Sequence, residues 1–263
     1  MKDILHFSHA NGFPAGSYKT LLSYLHDDFQ IGSIDRIGHH EQYPVTNNWD
    51  YLVLQLINEL ETSYQQPVYA VGHSLGGVLS MMVAAQRPDL VKGLIMLDAP
   101  FLTHIEALGV NLIKRLGLID KFTPAGRTLG RQETWPSIPA AEEYFRGKRL
   151  FQDFDGRCLA DYVNHGTVEV EGGLRQLYFD AATEIQIYRT IPHDLNKTPQ
   201  LSMPGAVIAG KESDVFKKHH GTKMQRQLGV SVDWVDGGHM FPLERPEQTA
   251  GLIKQYIKQW QSY

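Results

Sequence analysis

Val68-Tyr69-Ala70-Val71-Gly72-His73-Ser74-Leu75-Gly76-Gly77-Val78 passes from a strand-like apolar run, through a serine flanked by glycines, into a helix-like stretch. The G-x-S-x-G spacing has a physical reading. A serine on a sharp strand-to-helix turn is pushed outward, and side chains at positions 72 and 76 would collide with neighbouring backbone. The helix that follows, Val78-Leu79-Ser80-Met81-Met82-Val83-Ala84-Ala85, starts just behind the serine. Its free N–H groups suit a negative charge that develops during acyl transfer. Ser74 is therefore the candidate nucleophile.

A neutral serine needs a base. Among the twelve histidines, His239 stands apart. It lies in Gly237-Gly238-His239-Met240-Phe241-Pro242-Leu243-Glu244-Arg245-Pro246-Glu247, on a glycine-rich loop between a final strand and a final helix. Open parallel sheets present functional residues at the carboxyl ends of their strands.

Outward from these two motifs the texture is that of an α/β protein. Apolar runs at Ile4–Phe7, Gln30–Ile34, Val68–Val71, Leu94–Leu97, Ala206–Ala209 and Val230–Val235 alternate with helical patterns, predicting a parallel sheet with helices on both faces. Residues 101–203 lack this rhythm. They contain helical pieces around 105–115, 140–149, 159–164 and 183–190, and a small hairpin at Glu169–Arg175 built on Gly172-Gly173. The expected organisation is a core of residues 1–100 and 204–263 with an insert of 101–203. The insert is rich in aromatics such as Trp135, Phe145, Phe151 and Tyr162, expected mainly to form a small core of its own.

At 263 residues, 42% of them hydrophobic, the chain can fill a full core without being a membrane protein. No apolar run approaches the ~20 residues of a membrane span, and Met1–His6 lacks a signal-peptide pattern. Cytoplasmic location is the simplest expectation. A net charge of −4 and a pI near 6.3 argue against nucleic-acid or anionic-membrane partners. The single cysteine, Cys158, matches no thiol motif and is expected to be inert. His39-His40 and His219-His220 are adjacent pairs whose side chains should diverge, so no metal site is expected. No phosphate-binding glycine fingerprint follows a strand, and no cofactor is implied.

Together, Gly72-His73-Ser74-Leu75-Gly76-Gly77 and Gly238-His239 followed by Glu244-Arg245-Pro246-Glu247 resemble the nucleophile elbow and histidine loop of the α/β-hydrolase superfamily. The likeness extends over nearly the whole chain. It implies a serine hydrolase whose insert is a cap over the active site. The family usually begins with two further strands, so a six-stranded sheet with Gln30–Ile34 at an edge is expected. Ser8-His9-Ala10-Asn11-Gly12-Phe13-Pro14 resembles the family's oxyanion loop. The two oxyanion donors would then be the Leu75 N–H and, from this loop, the Phe13 N–H, with Asn11 or Ala10 as alternatives. For the triad acid the resemblance offers Asp98 and Asp214. The family's Gly-x-x-Asp after the later strand reads Gly210-Lys211-Glu212-Ser213 here, one place short of Asp214. Branches with Gly-x-x-Ser take the acid from the earlier strand end, which favours Asp98. Glu212 and Asp180 are weaker candidates. The implied substrate is a small-molecule carboxylic ester or thioester with an apolar acyl part. Carbon–carbon bond hydrolysis or perhydrolysis on the same triad, and a non-catalytic ligand receptor, are the alternatives.

Overall fold

The computed structural model describes residues 2–262. Six parallel strands form the central sheet: β1 (Asp3–Ser8), β2 (Phe29–Ser33), β3 (Val68–His73), β4 (Val91–Leu97), β8 (Gly205–Gly210) and β9 (Ser231–Val235). Their spatial order is β2-β1-β3-β4-β8-β9, with β2 at one edge as expected. β3 pairs with β1 and β4, placing Gly72 opposite Ser8 and Met96.

Alternation along each strand explains why both faces are covered. Tyr69 and Val71 of β3, Ile95 and Leu97 of β4, and Ala206 and Ile208 of β8 point into one buried cluster. Val68 and Ala70, Leu94 and Met96, and Val207 and Ala209 point into the other. Strands buried on both faces read as continuous apolar runs, which is the pattern visible in the sequence. Helix Pro246–Trp260 closes the first face with Ile253, Tyr256 and Ile257. Helices Asp50–Ser63 and Leu75–Gln86 close the second with Leu52, Leu56, Val78 and Leu79.

Between β4 and β8 lie helices His104–Arg115, Ile138–Arg146, Gly156–Gly166 and Ala181–Arg189. A small antiparallel sheet joins them, ordered β5 (Thr134–Trp135), β7 (Arg175–Leu177), β6 (Thr167–Glu169). The β6–β7 hairpin turns through Gly172 and Gly173, both at positive φ (81° and 74°). The two-residue β5 is too short to leave a pattern in the sequence. The insert's aromatics do not form a separate core. Phe13, from the loop after β1, packs 4.8 Å from Tyr162 and 5.9 Å from Phe151 between ring centroids, so these side chains join the buried cluster on the sheet.

No helix among the described residues is long and apolar enough to cross a membrane. Cys158 is buried, and burial pushes its thiol up to about 12, leaving it almost wholly protonated at neutral pH.

Candidate active site

Five strand ends converge on one site: the loops after β1, β3, β4, β8 and β9. Ser74 sits at the β3 turn with φ 52° and ψ −114°, a strained conformation for a residue with a side chain. The glycines allow it. A methyl group at Gly72 would lie 2.3 Å from the Gly76 carbonyl, and one at Gly76 would lie 2.0 Å from the Ser8 carbonyl oxygen.

His239 Nε2 lies 3.1 Å from Ser74 Oγ, and His239 Nδ1 lies 2.6 Å from Asp98 Oδ2. With Nδ1–H donated to the carboxylate, Nε2 presents its lone pair to the serine hydroxyl. Asp98 is fully buried at the end of β4, at φ 44°. Its Oδ1 accepts the Gly210 N–H at 2.9 Å, and its Oδ2 also accepts the Ser213 hydroxyl at 2.6 Å. Ser213 in turn accepts the N–H groups of Val215 and Phe216. A buried carboxylate with three donors is solvated by the protein in place of water. Asp214, the alternative, is 93% exposed and among the described residues meets only Lys217, at 3.4 Å. Glu212 accepts the Gly237 N–H, which ties down the histidine loop. Asp180 caps helix Ala181–Arg189 through the Thr183 N–H. Neither contacts His239.

In the loop after β1, the Ala10 carbonyl accepts the Phe13 N–H at 3.1 Å and the His9 Nδ1–H at 2.8 Å. His9 Nε2 accepts the Ile37 N–H. Burial lowers this imidazole to about 4, so it stays neutral. The Ala10 N–H is donated to the Tyr18 hydroxyl at 3.3 Å. Of the three N–H groups considered as oxyanion donors, Phe13 and Ala10 are thus already engaged, and only that of Asn11 has no acceptor among the described residues. The Leu75 N–H opens helix Leu75–Gln86 and has no intrahelical acceptor. The Asn11 side chain reaches the insert, its Nδ2 donating to the Glu184 carbonyl at 3.0 Å. The Glu184 carboxylate, packed against Gly12, accepts from Thr128 and Arg131.

One network joins these parts and has no sequence motif. Tyr18 donates to His73 Nδ1 at 2.7 Å, and His73 Nε2–H donates to the His239 carbonyl at 2.9 Å. Tyr18 and His73 are buried, and burial holds His73 neutral, well below the usual imidazole range. The loop after β1, the turn at Ser74 and the His239 loop are therefore linked by bonds whose groups are all satisfied. Tyr18→Phe leaves the Ala10 N–H and His73 Nδ1 unpartnered, and should cost about 1–3 kcal/mol in urea unfolding. An unchanged midpoint would show that the network adds no stability.

The histidine pairs behave differently from each other. His39 Nε2 accepts the Asp180 N–H, and His40 Nδ1 accepts the Gln42 N–H, so these rings diverge. His219 and His220 instead converge: both Nε2 atoms meet Glu106 Oε1, at 3.2 and 3.1 Å. That corrects the expectation of divergence for this pair. The three residues could hold a metal ion by proximity. However, His220 Nδ1 accepts the Lys217 N–H, which places the proton on Nε2 and favours a clasp over a ligand set. Burial alone would raise the Glu106 carboxyl, but the Thr103 N–H and hydroxyl and the two imidazoles outweigh it and hold it at about 2.

This geometry agrees with what the chain is similar to. Residues 7–252 match the family model described as "Alpha/beta hydrolase family". A lipase of Mycobacterium tuberculosis, LipV, is 38% identical over 88% of this chain and 84% of its own. The monoglyceride lipase of Mus musculus is 28% identical over 100% of this chain and 83% of its own. Among solved structures, E-2-(acetamidomethylene)succinate hydrolase superposes with a TM-score of 0.76 at 24% identity, covering 98% of this chain and 91% of that one.

Proposed function

The chain belongs to the α/β-hydrolase family and is a hydrolase, and from that premise we propose that Ser74, His239 and Asp98 form the triad of an esterase acting through an acyl-enzyme. The observation that carries this reading is the placement of His239 between the other two, 3.1 Å from Ser74 and 2.6 Å from Asp98. His239 takes the Ser74 proton as Oγ attacks an ester carbonyl, then returns it to the leaving alcohol. Water activated by the same imidazole releases the acid. Asp98 holds the imidazole in the required tautomer and stabilises its charged form.

The oxyanion donors in this reading are the Leu75 and Asn11 N–H groups. In a trans peptide the N–H points opposite to the preceding carbonyl. The Ala10 carbonyl is fixed by Phe13 and His9, so the Asn11 N–H is turned away from those bonds. This replaces Phe13, whose N–H is already donated within the loop. The insert acts as the cap. The similarity to monoglyceride and other lipases supports an ester with an apolar acyl group as substrate.

The test is labelling with a fluorophosphonate, followed by p-nitrophenyl esters and acyl-CoAs of graded length. Wild type should label and Ser74→Ala should not. Turnover of esters that rises with acyl length supports the substrate class. A protein that fails to label and turns over no ester would refute the reading.

A further inference from the structure

Among the described residues, six of the eleven exposed large apolar side chains fall within residues 105–129 of the insert. Four of them, Ile105, Leu108, Leu112 and Leu116, recur at helical spacing along helix His104–Arg115 and its C-cap, with exposures of 81, 58, 57 and 61%. Residues at this spacing share one side of a helix. Ala107, on another side, is buried. Phe122 (68%), on the short helix Ile119–Phe122, and Leu129 (55%), the C-cap of helix Ala125–Thr128, follow. The helix is held firmly. Thr103 and Glu106 form a capping box, Glu106 meets His219 and His220, and Lys114 donates to the Ile191 carbonyl. The apolar stripe is therefore presented by a fixed element, where most apolar surface would be buried.

Charge around the stripe is one-sided. Residues 102–131 carry five basic side chains and two acidic ones, in a chain of net charge −4. Both acids are engaged, Glu106 by the histidines and Asp120 by Arg189. Arg115, Lys121 and Arg127 are exposed and have no carboxylate partner among the described residues. An exposed apolar helix face flanked by cations is the signature of an element lying at a lipid interface. We propose that this face of the insert docks on an anionic phospholipid bilayer, with the stripe at the headgroup boundary and the three cations among the phosphates. The acidic whole-chain total does not oppose this, because exposed charges beyond about 8 Å are screened at physiological ionic strength. A two-fold dimer through the same face would set these cations near their own copies, which disfavours a second chain as occupant.

The proposal does not depend on the catalytic reading, because binding is read on the Ser74→Ala protein. Co-sedimentation with phosphatidylcholine vesicles, with and without phosphatidylglycerol, tests it. Partitioning should be roughly tenfold stronger or more with phosphatidylglycerol, and should weaken with salt. Two variants, Leu108→Ser/Leu112→Ser and Arg115→Glu/Lys121→Glu/Arg127→Glu, should lose it while keeping the parent's thermal midpoint, since every substituted side chain is exposed. Absence of binding, equal binding to both vesicle types, or variants that bind like the parent would each overturn the proposal. So would a dimer that the leucine variant makes monomeric, which would assign the face to a second copy.

Discussion

Ser74→Ala should reduce ester turnover by up to roughly 10⁶-fold, as expected when one member of a cooperating triad is removed. The loss should be purely chemical. Among the described residues the hydroxyl bonds only to His239, at 3.1 Å, and alanine at φ 52° carries the same Cβ strain as serine, so the unfolding midpoint should hardly move. His239→Ala should produce a loss of the same order, and the double variant should be little worse than either. Steady-state kinetics on a p-nitrophenyl ester, corrected for background hydrolysis, measures all three. A loss below tenfold for Ser74→Ala would mean that another group carries the chemistry. Losses that multiply in the double variant would mean that the two residues act separately.

Asp98→Asn should cost roughly 10⁴ in turnover, by a different route. The new amide must still accept the Gly210 N–H, now 2.9 Å from Oδ1, so its oxygen is directed there. The NH₂ then faces His239 Nδ1, which can only accept. The imidazole proton moves to Nε2, and a protonated Nε2 cannot take the serine proton. Asparagine tolerates the positive φ at this position, so the fold should persist. Asp214→Asn should leave turnover unchanged, because that side chain points into solvent. Comparable losses for the two variants, or a small loss for Asp98→Asn, would remove Asp98 from the role.

Ser74 and His239, the proposed nucleophile and base, are legible in the sequence because each rests on local geometry. Gly72 and Gly76 are demanded by contacts of 2.3 and 2.0 Å, and Gly237-Gly238 form the turn that delivers His239. The sheet is legible because strands buried on both faces need apolar side chains throughout. The position of the acid is not a local property. Asp98 and Asp214 both follow apolar strands, and what separates them is the Ser213 hydroxyl, which reaches across 115 residues to Asp98. The proposed oxyanion donor is hidden for a related reason. Which N–H is free depends on the loop's internal bonds, and side-chain identities do not report these. Tyr18 and His73 lie 55 residues apart, so their bond leaves no trace in either neighbourhood. The stripe at 105–116 was legible as a helix, but not as an exposed one, since the pattern that marks a buried face also marks a face turned to lipid.

Phe13 has a consequence for recombination. Serine, histidine and aspartate all lie outside residues 101–203, which invites exchange of that segment between relatives to change substrate choice while keeping the chemistry. The seam, however, runs through Phe13, a residue of the loop after β1 whose ring is seated among Tyr162, Phe151 and Phe154 of the insert. A transplanted segment that brings differently shaped partners would tilt this wedge, and with it the peptide two residues upstream. A chimera of this protein therefore has a third junction, at position 13, besides the two where the chain is cut.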